Sequence, residues 1–116
     1  MYPVGVYRAR MDVIEIPHFT DVVASYLSDD EYAALQWYLL LNPDAGDLIQ
    51  GTGGIRKVRW FTSWYGKRGG LRVIYYYRRK PMEIWMLTVY SKSKKQDLTT
   101  RDKEVLKQIV REIKYD

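Results

Sequence analysis

An α+β fold is predicted by the order of two hydrophobic periodicities along the 116 residues. Apolar or alternating segments at 13–16, 55–62, 71–79 and 84–90 are typical of strands. Apolar residues with helical spacing at 19–27, at 28–42 and after residue 99 indicate helices. The order strand, two helices, three strands, one helix predicts an antiparallel sheet: a meander of three strands plus an N-terminal strand, with the helices packed on one face.

The first strand and the helical pair have clear boundaries. Val13–Ile16 is a short apolar run closed by Pro17, and residues 1–10 either extend it or precede a true start at Met11. Ser28 and Glu31 have the spacing of a capping box, which starts the second helix. Asn42 precedes a proline, and that position disfavours helical backbone, so the second helix ends there.

The segment from Asp44 to Gly54 is predicted to be a loop. Its glycines could cradle a phosphate, but no Lys-Ser/Thr pair opens a helix behind them, which favours a tight turn into the next strand. In the meander, alternation assigns the residues of each strand to opposite faces. One face takes Lys57, Arg59, Arg72, Ile74, Tyr76, Thr88 and Tyr90; the other takes Val58, Trp60, Leu71, Val73, Tyr75, Trp85, Leu87 and Val89.

Composition excludes several kinds of site. The chain has no cysteine and one histidine, His18, which argues against thiol chemistry, a zinc centre and a Ser-His-Asp relay. It has no apolar run near the length of a membrane span and no signal-peptide pattern. We therefore expect one cytoplasmic domain over residues 1–116, with 1–10 as a possible extension, without cofactor, metal or membrane partner.

Charge is distributed very unevenly. Residues 1–50 carry a net charge of −6, residues 51–95 carry +11, and residues 96–116 are neutral. A segment this positive, with tyrosine and tryptophan interleaved, predicts a nucleic acid or an acidic protein as partner. The alternative is a solvated basic surface.

The predicted open face of the sheet gathers basic side chains suited to RNA phosphate. RNA carries its own nucleophile, the 2′-hydroxyl, so cleavage needs a base, a stabiliser of phosphorane charge and a proton donor. A lysine crowded by cations loses its proton more readily, and arginine stabilises phosphate charge. Passive RNA binding fits the same residue types equally well. The contact candidates are Arg56, Lys67, Arg68, Tyr90, Lys94 and Lys95.

Three sequence blocks stand out in order along the chain: GDLIQGTGGIRKVRW, GKRGGLRVIYYY, and LTVYSKSK followed by DLT at 97–99. Together they resemble the RelE/HigB family of bacterial toxins, most closely its HigB-like branch. The SDDEY helix start and the LNP stop extend the likeness. The resemblance implies a RelE-like fold and a ribosome-dependent endoribonuclease that cuts mRNA in the ribosomal A site by 2′-hydroxyl attack and contacts ribosomal RNA. A cognate antitoxin, expected to be a helix-turn-helix DNA-binding protein, would hold it inactive.

The resemblance also assigns roles position by position. Lys57 and Arg59 fall on the family's basic pair, as base or transition-state stabiliser. Arg72 falls on the phosphate-stabilising arginine, and Lys92 falls on the basic residue after the last strand, as phosphate clamp or proton donor. Some relatives have a tyrosine where this chain has Leu98, and Tyr90 is an imperfect positional substitute. Two alternatives remain open: a ParE-like gyrase inhibitor without nuclease activity, which would not need four converging cations, and a non-catalytic RNA-binding domain.

Overall fold

The computed structural model describes residues 12–61 and 70–115, and these form three helices and a five-stranded mixed sheet. The sheet order is β1-β5-β4-β3-β2. The elements are β1 (Asp12–Glu15), α1 (Pro17–Val23), α2 (Asp29–Leu41), β2 (Asp47–Leu48), β3 (Ile55–Trp60), β4 (Leu71–Arg78), β5 (Glu83–Ser91) and α3 (Thr100–Tyr115). The predicted α+β class and the meander β3-β4-β5 are confirmed.

Two details of the sheet differ from the prediction. β1 pairs with β5 in parallel, so the sheet is mixed rather than antiparallel. The segment predicted to be a loop contains the two-residue strand β2, which pairs with β3. The pairing of β1 with β5 joins segments about 70 residues apart, which local periodicity does not encode. β2 pairs with a strand that is near in sequence, but its two residues are too few to show a periodicity. The possible extension at residues 1–10 lies outside the described residues.

The helical pair follows its capping signals closely. The Ser28 hydroxyl accepts from the backbone N–H of Glu31 at 3.2 Å, and the Glu31 carboxylate accepts from the backbone N–H of Ser28 at 3.5 Å. This capping box starts α2 as predicted. α1 begins earlier than predicted, because Pro17 occupies its first turn, where a missing N–H costs nothing. It also ends at Val23 rather than at Leu27.

The helices cover both faces of the sheet, which contradicts the prediction that they pack on one. α1 and α2 bury the first face, in a cluster that includes Phe19, Leu39 and Tyr75. α3 buries the second face through Leu106 and Val110. The residues of β4 from Leu71 to Tyr76 are consequently all buried. No helix in the described ranges is long and apolar enough to cross a membrane.

A register shift in β5 changes the faces predicted for that strand. Ile74 pairs with Thr88 and Tyr75 pairs with Met86, so Leu87 is the extra residue of a β-bulge. Residues before the bulge therefore lie on the face opposite to the one alternation assigns. Leu87 packs under α3 in the same cluster as Tyr90.

Candidate nucleic-acid interface

The second face of the sheet contains a continuous row of polar side chains across three strands. Arg59 of β3 pairs with Arg72 of β4, and Arg72 pairs with Tyr90 of β5. Lys57 lies two residues before Arg59 on the same face of β3 and pairs with Ile74 of β4. Because paired residues of neighbouring strands have their Cβ atoms about 5 Å apart on one face, three predicted catalytic residues and the predicted contact residue Tyr90 come together.

This face is not open, contrary to the expectation. Arg72 is only 5% exposed and Tyr90 only 6%, whereas Arg59 is exposed. The Lys57 side chain is 34% exposed. Tyr90 is buried in the cluster that this face forms with α3 and with Leu98 of the segment before it. A ligand can therefore contact Arg59 and Lys57 directly, while Arg72 and Tyr90 lie beneath the accessible surface.

Asp97 is a member of this site that the sequence argument missed. Its carboxylate lies 3.6 Å from the Lys57 ammonium. The backbone N–H of Leu98 donates to the same carboxylate at 2.8 Å and, together with the charges of Lys57 and Lys103, holds the pKa of Asp97 below its usual range. The available signal was its position as the first acidic residue after the lysines of 92–95.

Tyr90 has a buried hydroxyl with no hydrogen-bond partner in the described part of the chain. Burial, reinforced by the negative charge of Asp97 and partly opposed by Arg72, raises the pKa of Tyr90 to about 12. The group is therefore a neutral donor at physiological pH. Lys95 lies 6.0 Å from the centre of the Tyr90 ring and forms an ion pair with Asp102. Asp102 also accepts from the backbone N–H of Thr99 at 2.9 Å, which fixes the start of α3.

The remaining predicted contact residues have different positions. Lys92 and Lys94 follow the end of β5 and are exposed. Lys67 and Arg68 lie outside the described residues. Arg56 donates to the carbonyl oxygens of Asp44 and Gly46, at 3.2 and 2.7 Å, so it braces the loop after α2. Alternation along β3 places Arg56 on the face opposite Lys57.

The site offers donors to an anion. Three of its members are cationic side chains and one is a neutral hydroxyl, and Asp97 is the acidic group paired with them. Within the described ranges, no three His, Cys, Asp or Glu side chains are grouped so that they could hold a metal ion. The arrangement can bind phosphate and stabilise negative charge that develops on it.

The described residues form an α+β domain with a mixed five-stranded sheet, and this architecture matches a RelE-like fold. A solved structure of the E. coli toxin RelE, a mutant in the free state, matches this chain with a TM-score of 0.55. The match covers 74% of this chain and 87% of that chain at 12% sequence identity. At this identity the likeness shows the fold alone. No family model matches the sequence.

Proposed function

We propose that this protein is the toxin of a toxin–antitoxin pair, of the HigB-like branch, and cleaves mRNA in the ribosomal A site. The observation that carries the proposal is the row of Arg59, Arg72 and Tyr90 with Lys57 beside it. Its occurrence on a RelE-like fold supports the same conclusion, since the similar solved structure is described as a toxin. The sequence blocks around 46–60, 66–77 and 87–99 support it independently.

The chemistry is transfer of phosphate within the RNA. The 2′-oxygen loses its proton and bonds to phosphorus, while the bond from phosphorus to the 5′-oxygen breaks and that oxygen gains a proton. Lys57 either takes the 2′ proton in its neutral form or, as an ammonium, stabilises the phosphorane. Lys92, exposed beyond β5, supplies the proton to the 5′-oxygen. A cleavage rate that rises with pH indicates the base role for Lys57.

Arg59 and Arg72 have different roles in this proposal, because Arg59 is exposed and Arg72 is buried. The exposed Arg59 can donate to a phosphate oxygen in a bidentate contact. Arg72 acts from beneath the surface, where its charge is weakly screened and favours an anion bound at Lys57 and Arg59. Arg72 is therefore a positioning residue in this proposal rather than one that touches RNA.

The partners in this proposal are mRNA in the ribosomal A site, ribosomal RNA and a cognate helix-turn-helix antitoxin. A basic surface attracts acidic segments, so antitoxin binding should weaken as salt rises. Lys94 and Lys95, which follow β5, are the contacts we assign to the RNA backbone, together with Lys67 and Arg68.

The decisive experiment is expression in bacteria followed by mapping of mRNA 5′ ends. We expect cuts inside translated reading frames, and we expect Lys57→Ala/Arg59→Ala to reduce them by at least about 100-fold, the usual effect of removing charge stabilisation at a reacting phosphate. The matched control is Lys80→Ala/Arg111→Ala, which removes the same charge from two exposed positions outside the site and should cut normally.

Three other outcomes would overturn the proposal. Growth arrest with DNA damage and intact mRNA would indicate a gyrase inhibitor. Binding of RNA without cuts or growth arrest would indicate a passive RNA-binding domain. Equal loss of cuts in both double variants would show that total charge, rather than the pair on β3, supports cleavage.

A further inference from the structure

A second basic pocket lies at the opposite end of the sheet from the row described above. Its volume is about 330 Å³, and it is formed by the turn between β2 and β3, the end of β4 and the last turn of α3. The side chains and glycines that line it are Leu48, Gly53, Gly54, Arg56, Tyr76, Tyr77, Arg79 and Lys114. Three of these are cationic and none is acidic. Arg72 and Arg79, which directly follows β4, are seven positions apart, which corresponds to about 23 Å along an extended strand.

Two of the three cations, Arg79 and Lys114, each lie against an aromatic ring. The Arg79 guanidinium lies 5.4 Å from the centre of the Tyr77 ring, and the Lys114 ammonium lies 6.0 Å from the centre of the Tyr76 ring. Neither cation forms an ion pair with a carboxylate of residues 12–61 or 70–115. The neutral tyrosine rings therefore hold these two cations in place, and no carboxylate in the described ranges neutralises their charge.

The cations reach the pocket from both faces of the sheet. Tyr77 packs against the cluster under α1 and α2, whereas Tyr76 belongs to the cluster under α3. The glycine turn leaves room between them: Gly53 has φ +82°, and a Cβ atom there would lie 3.4 Å from the Lys114 ammonium. An anion at the end of the sheet can thus be bound by Arg79 from one side and Lys114 from the other.

We propose that this pocket is a second phosphate-binding site, which takes the phosphodiester backbone of an RNA segment other than the one at Lys57 and Arg59. The identity of the polyanion rests on the proposed function. A stacked arginine keeps its N–H donors in the guanidinium plane, where they match phosphate oxygens. Arg56 contributes positive charge from the pocket wall, but its Nη1 nitrogen already donates to two backbone carbonyls.

The test is binding of a fluorescein-labelled single-stranded RNA, measured by anisotropy over a range of salt concentrations. We expect Arg79→Gln/Lys114→Gln to weaken binding about ten-fold near 0.1 M salt and to reduce the salt slope by about 1.4, because each lost contact with single-stranded phosphate removes about 0.7. Arg79→Lys/Lys114→Arg, which keeps both charges, should bind almost as the native chain does. Lys80→Gln/Arg111→Gln removes equal charge outside the pocket and should change the slope little.

The outcomes separate this inference from the proposed function, since binding requires no cleavage. Slopes that fall equally in Arg79→Gln/Lys114→Gln and Lys80→Gln/Arg111→Gln would overturn the second site while leaving cleavage at Lys57 and Arg59 intact. Unchanged RNA binding in Arg79→Gln/Lys114→Gln, together with loss of binding to a labelled acidic peptide in the same variant, would also overturn it, in favour of a protein partner. Arg79→Gln alone, at a position outside the helices and strands, tests the site even if the change at Lys114 loosens α3.

Discussion

The two faces of the sheet bury tyrosines in opposite ways. On the first face, the Tyr75 hydroxyl donates to the carbonyl of Pro43 at 2.8 Å and accepts from the N–H of Gly46 at 2.9 Å. On the second face, the Tyr90 hydroxyl is buried without a partner among the described residues. A buried polar group left unpaired costs about 1–3 kcal/mol. The first face is therefore built for stability, and the second carries a polar group that its own packing does not satisfy.

The same contrast extends to charge. The cluster under α1 and α2 consists of apolar and aromatic side chains. The second face buries Arg72 beside its apolar cluster. Burying a cation is unfavourable unless it is paired and hydrogen-bonded. The difference indicates that folding alone does not explain the composition of the second face, which is consistent with the proposed phosphate site.

The largest stability effect we predict is that of Tyr75→Phe. Removal of this hydroxyl leaves the N–H of Gly46 and the carbonyl of Pro43 without their partner, so the free energy of unfolding should fall by about 1–3 kcal/mol. The urea midpoint measures the change. Tyr38→Phe, at a residue on the surface of α2, is the control and should leave the midpoint almost unchanged. If Tyr75→Phe left the free energy of unfolding unchanged, the contrast between the two faces would disappear.

Tyr90→Phe should have a smaller effect of the opposite sign. Deleting a hydroxyl that has no partner should leave the free energy of unfolding unchanged or raise it by about 1 kcal/mol. A destabilised Tyr90→Phe would show that the hydroxyl has a structural partner and that the two faces are alike.

The smallest effect concerns Asp97 and acid. Its pKa is lowered in the folded protein, chiefly by the N–H of Leu98, so it contributes stability that is present above its unfolded pKa and lost as the pH falls through the lower folded value. Asp97→Asn should flatten the stability profile below about pH 4. The effect should stay below about 1 kcal/mol, since the carboxylate is exposed. Urea midpoints measured at several acidic pH values test this, and an unchanged profile would contradict it.

Some features that sequence reasoning missed have identifiable physical causes. The covered second face was signalled by β4, whose residues from Leu71 to Tyr76 are almost all apolar, as in strands buried on both sides. The bulge at Leu87 has no comparable signal, because residues 84–87 are all apolar and no polar residue marks the change of face. The ion pair between Lys57 and Asp97 joins residues far apart in the chain, which spacing cannot reveal.

Sequence by itself determined the local features of this protein. The capping box at Ser28, the succession of strands and helices, and the common face of Lys57 and Arg59 follow from backbone hydrogen bonding and from side-chain periods of 3.6 and 2. Only the tertiary structure decided which face α3 covers, that β1 runs parallel to β5, and that Arg72 and Tyr90 lie below the surface. These depend on how apolar surfaces from distant segments are buried together, and a local pattern does not record that choice.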